Sequence, residues 1–208
     1  MRLNLGSGPI AVAGWINVDR SPNVLLDRLP IVKPALLRIG VLSDGHRKGW
    51  DRGVVRHDIR RLPYATDSVD YVYSSHTLEH LFFSEAEAVL AEVARVLRPT
   101  GRVRLALPDA SQWARDLLSD VDSYESGRVF NQRLLAHPDV KPRTLARLRE
   151  MAGGHVHRWQ PTPALAEGML SAAGFTDVRR CSFRSGHVPD LENVETREES
   201  FFVEAALG

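Results

Sequence analysis

Five short apolar runs, each stopped by a glycine, an acid or a pair of serines, do most to limit what this chain can fold into. They are Leu3 to Leu5, Trp15 to Val18, Gly53 to Asp58, Asp70 to Ser75 and Arg102 to Pro108. Segments with helical character stand between the second and third runs and between the fourth and fifth. Strands alternating with helices imply a parallel sheet covered on both faces. In such sheets ligands bind beyond the carboxyl ends of the strands. Those ends carry Gly6, Asp19, Asp58, Ser74 with Ser75, and Asp109. One rim thus receives a glycine loop and a row of polar groups.

The clearest helix is HTLEHLFFSEAEAVLAEVARVL, with apolar residues recurring at Leu78, Leu81, Val89, Val93 and Leu97. Arg98-Pro99-Thr100-Gly101 is a strong breaker and should end it. Thr162 reads as the N-cap of a later helix, with Pro163 at its first position and Gly174 at its end. GFTDVRRCSF and ESFFVEAAL then read as an antiparallel pair of strands. The expected architecture is α/β: a doubly wound, mostly parallel seven-stranded sheet in a single domain spanning 1–208. Residues 111–160 interrupt the pattern and read as a helical cap inserted over the rim. Val24 to Leu42 is unusually apolar but is broken by Pro30 and Pro34. It reads as an irregular helical segment packed on the sheet. The alternative is a segment lying on a membrane surface or a greasy substrate.

Composition narrows the class of function. The 208 residues are 43% hydrophobic and 25% charged, as in an ordinary globular protein. With 27 basic and 26 acidic side chains the net charge is +1, so nothing calls for a nucleic-acid partner. Cys181 is the only cysteine, which excludes an internal disulfide and a zinc finger. No run approaches the ~20 apolar residues of a spanning helix. No secretory leader is recognisable, so stable membrane insertion is not expected and a cytoplasmic location is.

Gly6-Ser7-Gly8 opens like a nucleotide-binding loop, but Pro9 and Ile10 stand where a helix should begin. A pyrophosphate site wants that helix directly behind the loop. The loop therefore looks built for close approach of a ligand rather than for gripping phosphates. Asp19 suits the two hydroxyls of a ribose, or alternatively a turn or helix cap. Asp58 has the same two readings, with the Ile59 backbone beside it for an adenine.

Taken in order, LNLGSG, NVD, HDIRRLPYATDSVDYVYSSHTLEHL and EVARVLRPTGRVRLALP resemble the class I S-adenosylmethionine (SAM)-dependent methyltransferases. The closer resemblance is to a bacterial group of methyltransferases that open LNLGSG…GWINVD, and the chain is similar to actinobacterial sugar methyltransferases. The resemblance spans nearly the whole chain and implies a Rossmann-like sheet with SAM as cofactor. It places Gly6 and Gly8 against the methionine part, Asp19 on the ribose, and Asp58 with Ile59 on the adenine. Ser74 and Ser75 would line the methyl-donor end. Two departures are visible. Asn4 and Leu5 stand where many relatives carry an acid, and little or no helix fits between the first two strands.

The acceptor is read from the remaining polar groups. A hydroxyl acceptor needs its proton removed or its oxygen polarised. His76, Glu79 and His80 fall at i, i+3 and i+4, on one face of the expected helix, and offer a carboxylate and imidazoles to a divalent metal such as Mg2+. Related ubiquinone-biosynthesis O-methyltransferases carry a similar stretch with a metal role. LEHL also occurs in methyltransferases without one. In His155-Val156-His157 the two rings point the same way in extended chain, so either is a candidate base. Asp109 is a further candidate acid, or a turn former. Arg158 and Trp159 offer a hydrogen-bond fork and a flat face to a sugar ring. The expected activity is O-methylation of a saccharide or small hydroxylated metabolite. A lipid or quinone-like acceptor, or a non-catalytic SAM-binding protein, is the alternative. A homodimer is one assembly open to such a chain.

Overall fold

The computed structural model describes residues 1–42, 47, 49–135 and 156–208. Seven strands form one sheet: β1 (Arg2–Leu5), β2 (Ile16–Asp19), β3 (Val54–Arg56), β4 (Val69–Ser75), β5 (Leu97–Pro108), β6 (Phe175–Cys181) and β7 (Ser200–Leu207). Their order is β3-β2-β1-β4-β5-β7-β6. The first five are parallel, and β7 runs antiparallel between β5 and β6. This is the mixed, mostly parallel α/β sheet expected from the sequence.

One sheet face is apolar and helix-covered. Leu3, Leu5, Val18, Val72, Val103, Leu105 and Val203 point to it from successive strands. Helix α3 (Phe83–Val96) buries Ala86, Val89, Leu90, Val93 and Val96 there, a spacing that makes one apolar stripe. Helix α6 (Pro163–Ala172) adds Ala166, Met169 and Leu170. Its start is as read: the Thr162 hydroxyl accepts the Leu165 N–H, and Pro163 follows.

The structure differs from the sequence reading in four places. First, the helix expected over 76–97 begins only at Phe83, where the Glu85 carboxylate accepts the Phe82 N–H at 3.0 Å. His76 sits at a left-handed φ of 46° and Leu78–His80 form a single 3-10 turn. Second, the helix does stop at Val96, just before Arg98 to Gly101, but those residues form no loop between helix and strand. Leu97 pairs with Val69 and Arg102 with Tyr71, so those residues are absorbed as an irregularity within β5. Third, among the described residues no long helix packs on the second sheet face. That face is covered by Val12 and Trp15 and by Val188, Leu191 and Val194 around the short helix α7 (Leu191–Val194). Fourth, the segment from Val24 packs only part of its apolar residues: Val24 is buried beside β3, but others face solvent. It forms α1 (Asn23–Leu26) and α2 (Val32–Arg38), with Ile31 82% and Ile39 69% exposed.

The crossing from β1 to β2 contains no helix. Gly6 and Ser7 both donate to the Val18 carbonyl, at 2.8 and 3.1 Å. Buried Asn17 bonds Val12 at both N–H and C=O, the Trp15 carbonyl, and the Asn4 amide. A side-chain amide thus replaces the usual helix as the brace of a parallel crossover.

Candidate functional site

The glycine loop and Asp19 form a unit. The Asp19 carboxylate accepts the Gly8 N–H at 2.9 Å and the Ser21 N–H at 2.7 Å, one on each oxygen. It therefore shapes the loop, and each oxygen keeps a second acceptor site for a ligand diol. Gly6 has φ +70°, and a Cβ there would overlap Thr77, so its close approach is to the protein's own chain. Gly8 has φ +65° and open space above it. Asp58 is gripped by the Arg60 guanidinium, which also reaches Glu85. That hydrogen-bonded pairing holds the Asp58 carboxyl down at about 2. Ile59 is buried, leaving its backbone as the part available to a base. Ser74 is buried and donates to the Leu5 carbonyl at 3.1 Å, so its hydroxyl ties two strands together and does not line a cleft. Ser75 is half-buried, with its carbonyl taken by the Thr77 hydroxyl.

The next cluster is one the sequence placed only in part. Glu79 is wholly buried, and neither carboxylate oxygen has a hydrogen-bond partner. Burial pushes its carboxyl up to about 7. Ligand atoms of Glu79, His80 and His157 lie within 4.8 Å of one another. His76, expected as the third member, lies outside that trio, its Nδ1 3.5 Å from Glu79 Oε1 and its Nε2 2.8 Å from Ser200 Oγ. In the 3-10 turn Glu79 stays within reach of both histidines, but His76 is drawn to Ser200 and does not join His80 and His157. Burial, and then the charge of Arg197, lowers the His76 pKa to about 3, so its ring is neutral. Burial lowers His157 as well. His155 lies outside the described residues.

Residues 156–160 are sewn onto this turn. Arg158 N–H donates to the Glu79 carbonyl at 2.8 Å, and its Nε to the His80 carbonyl at 3.0 Å. The Trp159 indole donates to Leu78 O at 3.2 Å and meets Phe83 edge-on. Arg158 and Trp159, expected to face a sugar, are therefore structural. The ring beside the cleft is instead Trp113, stacked on His157 with 6.4 Å between centroids.

The cleft itself has a volume of about 570 Å³. It is bounded by Asp109 and Trp113, by Arg133, by His76 and His157, and by Arg197. These come from the end of β5, from α4 (Ala110–Ser119) and α5 (Tyr124–Leu135), which pack on each other, and from the chain entering β7. Asp109 caps α4 by accepting the Gln112 N–H at 3.0 Å, so its turn role is real, and its carboxylate also borders the cleft. Sequence reading missed Trp113, Arg133 and Arg197. Each sits in a segment without a motif, and only the fold brings them to one rim.

Comparisons with known proteins bear on this arrangement. Residues 38–105 match the family model described as a methyltransferase domain. A demethylmenaquinone methyltransferase of Beutenbergia cavernae is 39% identical over 75 residues, which is 36% of this chain and 30% of that protein. An uncharacterized 37.1 kDa protein in a transposon of Streptomyces fradiae is 29% identical over 140 residues, 64% of this chain and 39% of that one. The matches thus span well under half the length of these curated relatives. Among solved structures, a Thermotoga maritima protein described as a SAM-dependent methyltransferase, possible histamine N-methyltransferase, superposes with TM-score 0.52 at 13% identity. The superposition covers 100% of this chain and 81% of that one. A Methanosarcina mazei SAM-dependent methyltransferase gives 0.51 at 15% identity, covering 99% and 89%.

Proposed function

We propose, from the premise that this chain carries the Rossmann-like fold of the class I SAM-dependent methyltransferases and a match to their domain, that it transfers a methyl group from SAM to a hydroxyl of a saccharide. The observation that carries the acceptor class is the polar cleft. It combines an indole face, neutral imidazoles, carboxylates and guanidinium groups beside the rim that holds the glycine loop. A sugar ring suits that mixture, with Trp113 for its apolar face and Asp109, Arg133 and Arg197 for its hydroxyls. A methylated mannoside of polysaccharide synthesis is one acceptor of this kind.

The residues present fit SAM. Open space over Gly8 can admit the methionine part and Asp19 keeps acceptor sites for the ribose; in this reading Asp58 and the Ile59 backbone take the adenine. When bound, SAM supplies an electrophilic methyl on sulfur. The protein's share is to hold the acceptor oxygen in line with that methyl and to exclude water. His157 is the proton acceptor of this reading: its ring borders the cleft, and burial favours the neutral form. The expected Mg2+ fits the donors poorly. Magnesium prefers oxygen ligands, and Glu79 is the only one beside two imidazoles. No step is assigned to it.

A second reading has its own support. The exposed apolar residues around α1 and α2, together with similarity to a demethylmenaquinone methyltransferase, favour a lipid or quinone-like acceptor. A labelled-methyl assay across saccharide and quinone panels separates the two. Transfer to saccharides alone supports the first reading, and transfer to quinones alone replaces it. His157→Ala should lower kcat by about 10²–10⁴-fold while SAM binding by calorimetry persists. Undiminished turnover removes His157 from the mechanism. SAM binding with no turnover on any acceptor leaves a non-catalytic SAM-binding protein.

A further inference from the structure

We propose that residues 24–42 form a docking surface for an anionic lipid bilayer. Around α2 the segment is inside-out. Lys33 is 9% exposed and paired with Asp27, while Ile31, Val32 and Ile39 on either side of it face solvent. Asp27 is the segment's one acid, and it is turned inward to Lys33 and to the Trp50 N–H. The outward surface therefore carries apolar side chains and Arg28 and Arg38, with no carboxylate of the segment's own.

The clustering is not what a soluble surface produces by chance. Of fourteen exposed large hydrophobic residues among the described residues, six lie between Leu25 and Val41. Isolated exposed apolar residues need no explanation, but a contiguous group does. Charge decides what covers it. Residues 20–61 hold ten Lys and Arg against four Asp, while the rest of the chain holds seventeen basic against twenty-two acidic residues. The chain's near-neutral total combines +6 over residues 20–61 with −5 over the rest of the sequence. The apolar patch belongs to that basic stretch, where Arg38, Arg52 and Arg61 are exposed.

Apolar insertion plus basic attraction is the pair of signals that peripheral binding requires. Another copy of the same basic stretch would be repelled. Pro30 and Pro34 interrupt the segment, and no described helix is long and apolar enough to cross a membrane, so the chain lies on the surface. Because α1 starts just after Asp19, docking sets the proposed cofactor rim beside the lipid headgroups.

Vesicle sedimentation tests this without any methyl transfer, so it stands or falls separately from the proposed reaction. The full chain should sediment with phosphatidylglycerol vesicles, remain in solution with pure phosphatidylcholine, and be released by high salt. Ile31→Ser/Ile39→Ser and Arg38→Glu/Arg52→Glu should each weaken partitioning by more than about tenfold. These positions are exposed, and thermal melting of each variant should match the parent. Failure to bind phosphatidylglycerol vesicles at low salt overturns the proposal. So does binding that both variants retain. A concentration-dependent dimer in ultracentrifugation that Ile31→Ser/Ile39→Ser splits assigns the face to a second copy and overturns it too.

Discussion

At Gly6 a side chain has nowhere to go, because a Cβ would sit 1.9 Å from Thr77 Oγ1. Gly8, two residues on, has the same left-handed backbone but open space. The two glycines therefore do different jobs. Gly6 lets the end of β1 pass under the turn that follows β4, and Gly8 keeps the rim clear. Gly6→Ala should cost about 3 kcal/mol, from overlap plus backbone strain. Gly8→Ala should cost only about 1 kcal/mol, from strain alone. Urea unfolding midpoints measure both, and equal losses would refute the distinction. Glu79 is the other informative residue. A buried carboxylate without a hydrogen bond is rare, and two histidines stand beside this one. The sequence singled out Glu79 and His80 through the HTLEH spacing but assigned His76 to them. The fold supplies His157 from about 80 residues away.

Among the elements, the β1–β2 crossover shows why local pattern reading succeeds in part. The absence of a helix was legible, since Pro9, Ile10 and the early return of apolar residues leave no room for one. The brace was not. Asn17 alternates to the second sheet face, where nothing in INVD marks it as the hub of four hydrogen bonds. Asn17→Ala should destabilise the fold by about 2–4 kcal/mol, because several buried partners lose their bonds at once. A loss below about 1 kcal/mol would mean that Trp15 and Val12 hold the crossover by packing alone. The helix starting at Phe83 makes a related point. Leu78 and Leu81 continue the apolar period of α3, yet Leu78 is buried from a 3-10 turn. Periodicity reports burial and does not by itself report the backbone that achieves it.

For the whole molecule, the second sheet face decides how the cleft is held. Arg104 on β5 is wholly buried between Glu195 and Glu204, and its guanidinium also donates to the carbonyls of Ser182 and Ser185 at 2.9 Å. Glu204 in turn accepts the N–H groups of His187 and Val188. This network pins residues 182–195 to the sheet and so fixes the chain that delivers Arg197 to the cleft. Gly186 is required there, since a Cβ would stand 2.6 Å from both Arg104 Nη1 and Glu204 Oε2. Arg104→Met strands two buried carboxylates and should cost about 3–5 kcal/mol. Arg104→Met/Glu195→Gln/Glu204→Gln should recover much of that loss in the same unfolding measurement. An unaffected single variant would show that the network contributes nothing.

The sequence by itself determined the strands, their mostly parallel order, the rim at their carboxyl ends and the glycine–Asp19 unit. These follow from short-range rules: apolar alternation, breakers and the conformational freedom of glycine. Tertiary structure alone decided which histidines meet Glu79, which tryptophan faces the cleft, and what covers the second sheet face. It also decided that Lys33 on α2 turns inward while the flanking Ile31 and Ile39 turn outward. Each of these depends on residues far apart in the chain being brought to one side of the sheet. No local spacing encodes that, because the closing contacts are made by side chains whose sequence neighbours have a different role.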